Sequence, residues 1–201
     1  MKIISKSVKK GRFILNFDDG NQSLPILKSV FLKSGFKVGD NITDDELYAL
    51  SLTSEQKAAY NRALYYLSRS NMSSNYLKKK LDGKFLDEAV DFAIIKVLEN
   101  GFIDDYDYAQ MLAQSLKQKG LSKTDIKNKM FLKGVNKDHI NDILDGFIFD
   151  EVADITNIIN KKYLQKLSLD NGEQKVATAL MRRGFSPYNI KKAIEIIKEE
   201  L

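Results

Sequence analysis

The sequence contains no cysteine and a single histidine, His139. Without cysteine there are no disulfides, no thiol nucleophile and no thiolate metal site, a composition that fits a reducing compartment. One imidazole cannot build a multi-histidine zinc site or the usual acid–base pair, so most hydrolytic and metal chemistries lose their ordinary parts. His139 itself is expected to be an ordinary surface residue. Long hydrophobic runs are also missing: nothing approaches the roughly 18 apolar residues that span a bilayer, and the opening MKIISKSVKKGRF has no apolar signal-peptide core. These absences predict a cytoplasmic protein with no membrane segment, no metal, no cofactor and no catalytic residues.

What is present is a chain of 201 residues, 43% hydrophobic and 29% charged, enough to bury a sizeable core. The formal net charge of +5 predicts attraction to polyanions. Within 117–133, KQKGLSKTDIKNKMFLK, the six lysines 117, 119, 123, 127, 129 and 133 face only Asp125, an excess equal to that of the whole chain.

The first fifty or so residues differ in pattern from the rest. GRFILNF and QSLPI flank DDGN, in which Asp19-Gly20 supplies a tight turn, so a small β-hairpin is predicted, with Lys2 to Val8 as a third strand. ILKSVFLKSGF reads as a short helix stopped at Gly35, and TDDELYAL opens on a capping box, Thr43 with Glu46. From Thr53 the apolar period becomes 3.6, after TSEQ as the expected helix start. Tyr60, Ala63, Leu64 and Leu67 make one stripe, Ser74 to Leu81 a short helix ending near Gly83, and Val90, Ile94, Val97 and Leu98 a second stripe closed by Gly101.

That three-helix plan recurs twice. The second set runs from about Asp105 to Lys117, from Thr124 to Leu132 before Gly134, and through Ile140, Ile143, Leu144 and Phe147. The third has a long helix from about Asp150 to Leu167, a short one from Glu173 to Arg183 before Gly184, and a last one opened by Ser186-Pro187 with the stripe Ile190, Ile194, Ile197 and Leu201. Leu77, Ile126 and Val176 hold equivalent places about fifty residues apart. The predicted fold is therefore mainly α: a hairpin with short helices over 1–52, then three tandem three-helix repeats over 53–103, 104–148 and 149–201, forming an elongated curved array.

The stretch GFIDDYDYA, from Gly101, places Asp104, Asp105 and Asp107 where a helix begins. Carboxylates there accept free backbone N–H groups and meet the positive end of the helix dipole, so capping is the expected role. Lys119, Lys123 and Lys127 recur every four residues with Lys133 beyond, as one lysine-lined helical face suited to phosphates or an acidic groove. Smaller clusters at matching places, Lys78, Lys79 and Lys80 with Lys84, and Arg182 with Arg183, extend the pattern into a basic track. Tyr60, Tyr66 and Phe92 fall on helical stripes and are expected in the core instead of on a base-stacking platform.

ALYYLSRSNMSSNYLKKKL, VLENGFIDDYDYAQML, IKNKMFLKGV and LMRRGF together resemble the RecX family of regulatory proteins, with Gly101, Asp104, Asp105, Tyr108 and Ala109 on the most specific motif. The chain departs from the family pattern at Ser70 and Met72, where arginines are frequent, and at Ser122, where glycine is common. The resemblance implies a monomeric, non-enzymatic protein that lies in the groove of the RecA–DNA filament and inhibits RecA ATPase, strand exchange and coprotease activity. It implies a place in DNA repair, recombination and the SOS response, and only weak binding to single- or double-stranded DNA alone. Asp104 and Asp105 would then fix the joint between the first two repeats, with Lys119, Lys123, Lys127, Arg182 and Arg183 toward filament or DNA. The alternative is a DNA-binding regulator built from helix-turn-helix-like modules. Against it, the middle helices carry lysines but few of the Asn, Gln and Arg side chains that read base edges.

Overall fold

The computed structural model describes residues 1–20 and 23–199. The chain divides into two compact units, Met1–Ile103 and Asp104–Leu201. Gln22 of the expected hairpin and Leu201 of the last stripe lie outside the described residues. No described helix is long and apolar enough to cross a membrane.

The first unit opens with three antiparallel strands, β1 (Ile3–Lys9), β2 (Arg12–Phe17) and β3 (Ser23–Leu27), in the order β1-β2-β3. Lys10 and Gly11, both at positive φ (46° and 78°), turn β1 into β2 as a two-residue hairpin. Alternation sends Leu15, Phe17 and Ile26 to one face, where they bury against Val30, Phe31, Ile42 and Leu50. Phe31 comes from α1 (Lys28–Ser34), which Gly35 ends.

Next comes α2 (Asp44–Leu67), started by the expected capping box: Thr43 Oγ1 accepts the Glu46 N–H at 3.2 Å and Glu46 accepts the Thr43 N–H at 2.9 Å. The bond from the Thr43 backbone holds the Glu46 carboxyl below its ordinary pKa. The expected boundary at 52/53 falls within this helix, since α2 runs straight through TSEQ. Its hydroxyls are used otherwise than as caps. Thr53 donates back to the Ala49 carbonyl at 2.8 Å, and buried Ser54 accepts the Leu27 N–H at 2.9 Å, tying the end of β3 to the helix. The sheet and the first repeat therefore share one helix.

The first repeat is completed by α3 (Ser74–Leu81) and α4 (Asp87–Glu99). Ala59 and Ala63 of α2 and Ala89 and Ala93 of α4 are wholly buried in one cluster with Leu77, Leu81, Val90 and Val97, the small residues allowing close helix approach. Leu98, assigned to the stripe by periodicity, is 41% exposed, since α4 turns that position outward. Met72, at a departure from the family pattern, is part of this core.

In the second unit, α5 (Asp105–Gln118), α6 (Lys123–Leu132) and α7 (Lys137–Asp145) enclose Ala109, Ala113, Ile126, Met130, Ile140 and Leu144. The third repeat has four helices: α8 (Glu151–Lys162), α9 (Leu164–Leu167), α10 (Gly172–Met181) and α11 (Pro187–Glu199). The expected continuous helix from Asp150 to Leu167 breaks at Tyr163, whose φ and ψ of −128° and 0° are not helical. The chain then doubles back so tightly that a Cβ on Gly172 would stand 1.9 Å from the Lys166 carbonyl oxygen. Leu77, Ile126 and Val176 are equivalently buried in α3, α6 and α10, and four residues later so are Leu81, Met130 and Leu180. The mainly helical repeat architecture behind a small sheet is the observed one.

Candidate functional site

The acidic motif has a local structural role. Gly101, at φ 67°, ends α4 with the Phe102 N–H returning to the Val97 carbonyl at 2.9 Å. Asp104 caps α5, its carboxylate accepting the N–H groups of Tyr106 and Asp107, both at 2.9 Å. Asp105 and Tyr108 are half-buried and Ala109 is fully buried. Between them Tyr106 donates its hydroxyl to Asp142 at 3.0 Å, and this bond raises the phenol above its ordinary pKa. His139 is no plain surface residue: its ring stands edge-on to Tyr106 at 5.5 Å, and its Nδ1 is buried without a hydrogen-bond partner. No group of three or more His, Asp or Glu side chains suited to a metal occurs among the described residues.

The lysine face is rearranged by the fold. Lys119 ends α5, Gly120 turns the chain, and Lys123 begins α6, so Lys119, Lys123 and Lys127 do not share one helix. Lys123 pairs with Asp145 of α7 at 3.2 Å, Lys127 donates to Asn141 of α7 at 3.2 Å, and Lys129 pairs with Asp125 at 3.4 Å. Lys117 folds onto the rings of Phe147 and Phe149 and donates to the Ile148 carbonyl at 2.5 Å. Each of these four lysines thus has a partner inside the repeat, a carboxylate for Lys123 and Lys129 and a neutral group for Lys117 and Lys127.

Arg183 is likewise engaged. Its guanidinium donates to the carbonyls of Lys119 (3.2 Å) and Gly120 (3.4 Å), groups left open by the end of α5, while its own carbonyl accepts the Ser122 N–H at 3.0 Å. Ser122, the second departure from the family pattern, is buried and caps α6 through the Asp125 N–H at 3.1 Å. Gly184, at φ 85°, lies against this cap: a Cβ there would meet Ser122 Oγ at 2.5 Å and Asp125 Cβ at 2.6 Å. The glycine of RRGF permits a close approach between the third repeat and the start of α6. Arg182 and Lys79 remain exposed, Lys133 lies just past α6, and Lys78 pairs with Asp91 of α4 at 2.5 Å.

A different group gathers in the first repeat. Arg62, Tyr65 and Tyr66 on α2 and Arg69 just beyond it follow the spacing i, i+3, i+4, i+7, the signature of one helical face. Arg69 stands 5.4 Å and Arg62 5.7 Å from the Tyr65 ring. Lys80 of α3 lies 5.4 Å from the Tyr66 ring, and Lys84 donates to the Tyr66 hydroxyl at 2.9 Å. That bond, with Arg62 and Lys80 adding positive potential, pulls the Tyr66 phenol below its ordinary pKa. Tyr66, expected in the core, is only half-buried; its ring packs on the repeat while its hydroxyl reaches the cations.

Fold and surface together define a class: a helical-repeat protein with a small antiparallel sheet and clustered surface cations. No protein-family model matches the chain. It is related over nearly its whole length to curated proteins called "Regulatory protein RecX". One from Limosilactobacillus reuteri (strain DSM 20016) is 27% identical over 207 residues, covering 98% of this chain and 75% of the relative. Another, from Caldanaerobacter subterraneus subsp. tengcongensis, is 28% identical over 183 residues, covering 90% and 91%. Two solved structures that share its fold are also RecX proteins. A crystal structure of regulatory protein RecX matches with a TM-score of 0.62 and 23% identity over 96% of this chain and 98% of that one. RecX from Lactobacillus salivarius matches at 0.59 and 20% over 73% and 98%.

Proposed function

We propose that this protein is a regulator of a RecA-type recombinase, lying in the groove of the RecA–DNA filament and inhibiting ATP hydrolysis, strand exchange and coprotease activity. The observation that carries the reading is relatedness to RecX regulatory proteins over 98% of the chain, not over one repeat alone. Separate helical units with exposed cations, among them Lys79, Lys119 and Arg182, suit a long polyanionic partner better than a small substrate. In this reading the protein acts as a cytoplasmic monomer, without catalysis of its own, in DNA repair, recombination and the SOS response.

The test is an ATPase assay of the cognate RecA on single-stranded DNA with this protein titrated in. A saturable fall in the hydrolysis rate is expected. An unchanged rate at saturating protein overturns the proposal.

A further inference from the structure

Four cations stand around two tyrosines of the first repeat. Among the described residues Arg62, Arg69, Lys80 and Lys84 make no ion pair, whereas Lys78, Lys123 and Lys129 each reach a carboxylate within 4 Å. The cations are arranged around rings instead: Arg62 and Arg69 about Tyr65, and Lys80 and Lys84 about Tyr66. Tyr65 is 48% exposed, and the two ring centroids are 6.0 Å apart.

We infer that this face binds single-stranded nucleic acid, with the Tyr65 ring stacking on a base and the four cations taking the adjacent phosphates. Aromatic platforms within a positive field are the general means of holding unpaired strands, because every base has a π face and every nucleotide a charge. The two guanidinium groups, 5.4 and 5.7 Å from the Tyr65 ring centroid, add their charge to this field. A duplex keeps its base faces covered and would use only the charges. An acidic peptide would likewise leave the exposed ring idle. The inference deepens the functional reading above and rests on it for its setting, since a filament groove contains such a strand, but the binding requires no recombinase.

The experiment measures fluorescence anisotropy of a labelled dT strand and of an abasic strand of equal length, titrated with the full-length protein without RecA. Tyr65→Ala is expected to weaken dT binding about tenfold, within the range of a lost base stack, and to leave abasic binding unchanged. Tyr65→Trp should retain binding and, because the chain has no other tryptophan, report the base through quenched emission. Wild-type dT affinity in Tyr65→Ala, equal losses on the two strands, or binding of polyglutamate without binding of dT overturns the inference. Should Tyr65→Ala fail to fold, the tryptophan variant decides: emission unquenched by saturating dT also overturns it. Loss of RecA modulation with dT binding intact, or the reverse, separates failure of the functional reading from failure of this site.

Discussion

The second repeat has the densest run of lysines in the chain, whereas the first gathers its cations around two tyrosine rings. On α6 and its flanks the positive charges find partners: Asp145, Asn141, Asp125 and the carbonyl of Ile148. Near the end of α2 they surround tyrosine rings, and among the described residues none of the four makes an ion pair. Counting charge along a sequence therefore does not show which cations meet a carboxylate, as Lys123 and Lys129 do, and which meet a ring or a neutral group. Pairing across helices decides how much of a charge remains to attract a phosphate. Each exposed pair is worth only about 0–1 kcal/mol to stability, so its effect here lies more in cancelling field than in holding the fold.

The largest expected effect comes from dislodging the second repeat's basic helix from its anchor. Gly184→Ala forces a Cβ into Ser122 and Asp125 at a positive φ, and should lower the unfolding free energy by roughly 3 kcal/mol. Denaturant titration checks this, and a change under about 0.5 kcal/mol would mean that the approach of RRGF to the α6 cap relaxes freely. A smaller effect compares matched neutralisations. Arg62→Gln with Arg69→Gln should reduce the log–log salt slope of single-strand binding by about 1.4, or about 0.7 per contact. Lys123→Gln with Lys127→Gln should leave that slope nearly unchanged, and a larger fall for the lysine pair would invert the comparison.

The smallest effect sharpens the same contrast spectroscopically. Tyr66 beside Lys84 has a lowered pKa, whereas Tyr106 beside Asp142 and Tyr48 beside Glu88 have raised ones. In an alkaline absorbance titration of the folded protein, Tyr66→Phe should remove an early phase and Tyr106→Phe a late one. By linkage, the lowered Tyr66 pKa contributes stability as pH rises above the phenol's unfolded value. The raised Tyr106 pKa contributes stability below the unfolded value, lost as pH rises through the folded one. Removal of a late phase by Tyr66→Phe would show that the cations do not act on that ring.

Helix starts and stops were largely legible because they depend on neighbours within a few residues. Thr43 with Glu46, Asp104 before α5, Pro187 at the head of α11 and the glycines at 35, 101, 134 and 184 all stand where local rules put them. The buried register of Leu77, Ile126 and Val176 was legible for a similar reason, since the apolar period repeats. The local rules misled at TSEQ, which has the look of a helix start but lies inside α2. A capping sequence specifies only that hydroxyls are available, and here the β3 backbone took one of them.

The candidate site was less legible, for a physical reason. Residue chemistry and spacing were enough to establish a helical-repeat fold and to predict an affinity for polyanions. They did not single out Arg62, Tyr65, Tyr66 and Arg69, although the i, i+3, i+4, i+7 spacing was there to be read, and only tertiary structure added Lys80 and Lys84. Arg183 reads as a free cation until folding brings it to carbonyls 63 and 64 residues away, and Lys123 until α7 presents Asp145, 22 residues on. Electrostatic free energy depends on distance through space, which spacing along the chain determines within one helix but not between helices.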